Sequence, residues 1–276
     1  MKTKFLWAAV ALASLAACGG GGGGGGAALP FIATPLPGQE PNPQPNPEPN
    51  PEPNPPEPNP EPNPANSSAA CFNEADLREG TKLVVEQTIT SGDQTQKQRV
   101  TRLTRGREAF RDVSAVEHLR TVFNYFNSSE AQDRQYLDFV DGHIVRYGTR
   151  NGGTGTSAYT YNDPTIRTPV MTPGQTIDEN YVVRSVEGEI RNEQQVSGTR
   201  TYVGRESLET AVGTFQTCKF SATVRFRQVD GSELTQSQET WIAAEGPYRG
   251  QDLKLTARTG DVLATFAPTQ ITYEPK

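Results

Sequence analysis

Thr214-Phe215-Gln216-Thr217-Cys218-Lys219-Phe220-Ser221-Ala222-Thr223-Val224-Arg225-Phe226-Arg227 decides the fold class. Cys218, Phe220, Ala222, Val224 and Phe226 take every second position, and Thr217, Lys219, Ser221, Thr223, Arg225 and Arg227 take the others. Period two means a strand with one dry face and one wet face, and a solvated face implies antiparallel pairing. Cys218 is thereby predicted to point into the core.

Outward from this strand, turn chemistry sets registers. Asp230-Gly231 lies between two strand patterns, and a two-residue loop there sets Phe220 opposite Trp241 and Cys218 opposite Ala243. Asp141-Gly142 sets Phe139 opposite Ile144 and Tyr136 opposite Tyr147; Gly92-Asp93 pairs Val85 with Val100 and Glu86 with Arg99; Gly260-Asp261 pairs Leu255 with Phe266. A bulge in any hairpin would exchange its faces. Asn73-Glu74-Ala75-Asp76 reads as a capped single helical turn that stops at Gly80. Residues 116–127 are apolar on both faces and fit either a buried strand or a short helix. Asn151 to Thr156, followed by Pro164, Pro169 and Pro173, reads as a long loop region. The expectation is a mostly β domain, an antiparallel sheet of consecutive hairpins with little helix.

The N-terminus carries an export signal: Lys2 and Lys4, an apolar run from Phe5 to Leu15, and small residues before a cysteine. That run is too short for a transmembrane helix, which needs ~20 residues. Leu15-Ala16-Ala17-Cys18 resembles the lipobox of bacterial lipoproteins. The resemblance implies cleavage before Cys18, acylation of its thiol and often of its amine, and, with Gly19 next, sorting to the outer membrane of a diderm bacterium. Residues 1–17 are then the signal peptide. Residues 18–64 are a leash: Gly19 to Gly26, then a segment holding sixteen of the chain's 22 prolines, many in Pro-Asn-Pro-Glu repeats. With φ fixed and no amide hydrogen at every second position, polyproline II is what remains. From Pro35 to Pro64 it would reach on the order of 90 Å at ~3.1 Å per residue.

Residues 65–276 remain for a single β-rich domain, long enough for a core of its own. Subtracting Lys2 and Lys4 from 26 basic residues and five leash glutamates from 32 acidic ones leaves 24 and 27, a net of about −3. No basic run with interleaved aromatics stands out, so nucleic acid is not an expected partner. With Cys18 acylated, Cys71 and Cys218 are an even pair in an oxidising compartment and are predicted to form a disulfide, the alternative being two free buried thiols. Neither has a metal-ligand neighbour at zinc spacing, and the chain has only two histidines.

A second resemblance covers the last third. Gly204-Arg205-Glu206, Gly213-Thr214-Phe215, Cys218-Lys219-Phe220, Trp241-Ile242-Ala243 and Gly246-Pro247-Tyr248 resemble a pattern in uncharacterised exported lipoprotein domains, which depart from this chain in having an aliphatic residue near Pro247-Tyr248. It implies a curved sheet, a half-barrel or open barrel, distantly like the periplasmic carriers that hold acyl chains in a concave face. No hydrolase elbow, zincin helix, Walker loop or dinucleotide fingerprint occurs. His118 lacks local support for a catalytic triad, and His143 follows a turn as a surface residue. The expected protein is a non-enzymatic, membrane-anchored envelope lipoprotein with no catalytic, cofactor or metal site. Its concave sheet binds a lipid or other apolar ligand. The alternative is a tethered structural or protein-interaction module without a ligand.

Overall fold

The computed structural model describes residues 66–151, 159–167, 169–187, 190–227 and 232–276. Cys18, the signal segment and the leash lie outside them. Two 3-10 turns, Ser68–Cys71 and Glu74–Leu77, precede twelve strands. These are β1 Lys82–Ser91, β2 Gln94–Phe110, β3 Val113–Asn124, β4 Ser129–Val140, β5 His143–Asn151, β6 Tyr159–Arg167, β7 Thr176–Glu187, β8 Ile190–Thr210, β9 Gly213–Arg227, β10 Glu233–Ala243, β11 Asp252–Thr259 and β12 Val262–Glu274. Each pairs antiparallel with its sequence neighbours, and the sheet curls until β1 bonds to both β2 and β12. The antiparallel sheet of consecutive hairpins with little helix is the one that alternation and turn chemistry predicted, and its curvature is the one that the resemblance implied. Among the described residues no helix is long and apolar enough to cross a membrane.

The rung between β6 and β7 is the shortest, four pairs from Tyr159↔Val186 to Asn162↔Val183. Pro164 follows two residues later and has no amide hydrogen to give a ladder, so the pairing stops and β7 continues on β8 alone. This strand corrects the expectation of a loop throughout that region. The ambiguous segment 116–127 resolves as strand, most of it within β3. Asn73 caps the predicted helical turn, its Oδ1 accepting from the Ala75 amide (3.1 Å).

Three predicted registers hold: Val85↔Val100 with Glu86↔Arg99, Phe139↔Ile144, and Leu255↔Phe266. Two fail. Tyr136 faces Gly148 rather than Tyr147, because a bulge adds a residue to β5. Phe220 faces Thr240 rather than Trp241, and Cys218 faces Ile242 rather than Ala243. Five residues separate Arg227 from Glu233, an odd number, so the β9–β10 pairing slips by one and every β10 side chain changes face. The turn residues Asp230 and Gly231 lie outside the described residues.

Candidate functional site

The slip splits the expected aromatic pair across the wall. Phe220 faces the interior beside Tyr202 (ring centroids 5.1 Å). Trp241 is on the outer surface yet only 5% exposed: the ammonium groups of Lys219 and Lys254 sit over its ring, each 4.8 Å from the centroid, and its Nε1 donates to Glu206. Cation–π contacts and the lysine stems cover an indole that would otherwise be a wet apolar patch. Arg205, next to that glutamate, donates to the Ser67 carbonyl (3.1 Å). Of the sequence motif, Glu206 and Trp241 therefore brace the outside of the wall, and Arg205 ties down the N-terminal segment.

That segment closes one end of the curled sheet. Cys71 and Cys218 are joined as a disulfide, their Cα atoms 6.1 Å apart, so the predicted pair is brought together. Ser68 exchanges main-chain and side-chain hydrogen bonds with Met171 and Pro169, and Tyr202 Oη donates to the Asn66 carbonyl (3.0 Å). Asp76 enters from the Glu74–Leu77 turn and accepts from Tyr273 Oη (2.8 Å), Gln251 Nε2 (2.9 Å) and Arg102 (3.2 Å). Burial beside the Asp76 carboxylate pushes the Tyr273 hydroxyl pKa up, so the phenol stays a donor.

Beneath this plug lies a cavity of about 450 Å³ that side chains do not fill, within the range of small-molecule sites. Part of its wall is apolar: Val85, Val100, Val122, Val224, Phe226 and Leu255. Alternation also brings charge inward, because Arg102, Arg120, Arg146 and Arg200 share the parity of apolar neighbours on their strands. Arg120 pairs with Asp133 (2.6 Å), Arg146 donates to Thr149 Oγ1 (3.1 Å), and the Arg200 guanidinium lies 4.6 Å over the Phe220 ring. The concave face is thus mixed, not simply apolar. Isolated sequence windows hid this because each arginine reads as a solvated residue. The signal was its position: Val100 and Arg102, or Val196 and Arg200, lie an even number of residues apart.

His118 is buried in this wall. Burial first, then the charge of Arg102 and more weakly that of Arg146, holds its pKa down to about 3, and the hydrogen bond to Asp76 opposes them. The ring is neutral, and Nε2, 2.9 Å from the Asp76 carbonyl, carries the hydrogen it donates there. A main-chain carbonyl, not a serine, is the partner given to this nitrogen. His143 is half-buried on β5. Among the described residues no three His, Cys, Asp or Glu side chains gather as metal ligands.

Glu179 on β7 was missed by sequence reasoning. It lines the cavity at 3% exposure, and its Oε1 is buried with no hydrogen-bond partner.

No family model and no curated protein matches the chain. Two solved structures resemble it. One is a protein assigned as exported, with a YmcC-like fold, from Bacteroides fragilis NCTC 9343, at 12% identity over 71% of this chain and 96% of that chain, TM-score 0.45. The other is a protein assigned as a lipoprotein from Parabacteroides distasonis ATCC 8503, at 11% identity over 71% and 96%, TM-score 0.42. Likeness at this level carries no argument about function.

Proposed function

We propose that this chain is a non-enzymatic envelope lipoprotein, anchored through acylated Cys18 and sorted to the outer membrane, whose domain takes an amphipathic, partly apolar molecule into its curled sheet. The cavity of about 450 Å³ carries this reading. An interior left unfilled forfeits dispersion contacts that close packing would supply, and a ligand restores them. The lipobox and the disulfide, which suits an oxidising compartment, support the address. Native mass spectrometry of the full chain from membranes tests both parts. A diacylglycerol on Cys18 and a retained small molecule are expected. An unmodified N-terminus ends the anchor, and an empty domain that binds no added amphiphile ends the ligand.

A tethered interaction module is the second reading, favoured by one observation. At the end opposite the plug, Phe126 is 82% exposed, with Tyr125 beside it on the β3–β4 hairpin and Val262 and Leu263 also exposed at the β11–β12 hairpin, on the far side of the β1–β2 pair. Such a rim suits a protein partner.

A further inference from the structure

Glu179 stands where the fold gives a carboxylate little help. Across the ladder on β8 its partner is Gly198, which has no side chain, and beyond Gly198 lies Val224 of β9. Gly198 is required there, since a Cβ would come within 2.0 Å of the Thr223 carbonyl. On the other side, the β6 pairing has stopped at Asn162↔Val183. Tyr181, Val196, Val224 and Phe226 form an apolar wall beside it. Arg200, the nearest arginine by register, holds its guanidinium over Phe220. A carboxylate oxygen buried without a partner costs free energy that only a donor can offset, and a charged donor offsets more than a neutral one.

Resting on the reading that the cavity holds a ligand, we infer that Glu179 is its head-group anchor and that the ligand is an amphiphile with a primary ammonium group. The N–H donors complete the buried carboxylate while the tail lies along Tyr181, Val224 and Phe226. Without ligand the carboxylate is a liability, so the site trades stability for recognition.

The test uses the full chain in lipid nanodiscs, with native mass spectrometry reading retention of four probes of equal tail length: dodecylamine, dodecyltrimethylammonium, dodecanol and dodecyl sulfate. Dodecylamine is expected to bind at least about tenfold more tightly than dodecyltrimethylammonium, which has the charge but no N–H. Glu179→Gln should abolish that preference and, by removing a negative charge from the cavity, raise dodecyl sulfate retention, and should hold or raise the melting temperature of the probe-free protein. Glu179→Asp should retain part of the preference. If probes are retained without preference for the amine, or the preference survives Glu179→Gln, the inference falls and the cavity reading stands. Stronger retention of dodecanol than of the amine overturns the ammonium in favour of a hydroxyl. Retention of no probe overturns both.

Discussion

The two ends of the curled sheet are built on different principles. At the plugged end, residues 66–81 are stitched to strands far away in sequence: a disulfide to β9, Tyr202 to Asn66, Arg205 to Ser67, and Asp76 to Arg102, Gln251 and Tyr273. At the opposite end, the hairpins 91–94, 124–129 and 259–262 carry Tyr125, Phe126 and Val262 into solvent. One end spends its polar groups on each other; the other leaves apolar groups uncovered. Stabilising contacts concentrate where the chain enters the domain, and the interior and the far rim are the regions that the two proposed readings use.

This contrast can be broken most severely at the disulfide. Cys71→Ala should cost roughly 5 kcal/mol in the chain-entropy picture of a loop spanning 147 positions. Chemical denaturation should show a lowered midpoint, and the reduced wild type should match it. Next comes the wall. Trp241→Ala removes a large buried ring and should cost about 3–5 kcal/mol while leaving probe retention unchanged, because the indole is outside. Phe220→Ala, on the inner face, should alter retention. Reversed outcomes would mean that the register is wrong.

A smaller effect comes from His118 under the plug. Its folded pKa is about 3, and the unfolded value is the ordinary 6.5. Between those values the unfolded chain holds a proton that the folded chain does not. Stability therefore rises with pH through this window, by up to ~1.4 kcal/mol per pH unit, and falls as pH drops below the unfolded value. His118→Gln should flatten the melting temperature against pH from about 4 to 6. The smallest effect belongs to the open rim, where Phe126→Ser should change stability by no more than ~0.5 kcal/mol. A loss of 2 kcal/mol there would show that the rim is structural.

Much of the fold was legible because strands write a strict period into sequence and tight turns write their registers. Gly92-Asp93 and Gly260-Asp261 did so without error. The β9–β10 hairpin misled because Asp-Gly marks a turn without fixing how many residues it spends, and one residue is enough to move Trp241 from the inside to the outside. The cysteine pair was legible from counting. The interior was not, since Glu179 and the inward arginines look like ordinary surface charge until the register of their own strands is known.

The disulfide also decides how the domain meets mechanical load. β1 starts at Lys82, eleven residues past Cys71, and its rungs to β2 and β12 lie one after another along its length. Tension drawn through the N-terminal segment into Lys82 would open those rungs in sequence, as a zipper fails under peeling. Cys71 intercepts the pull before it arrives. The force passes through a covalent bond into β9, a strand held by β8 and β10 on either side, where rungs resist together rather than singly. A chain tugged by its N-terminus thus loads β9 part-way along its length and spares the first rungs of β1.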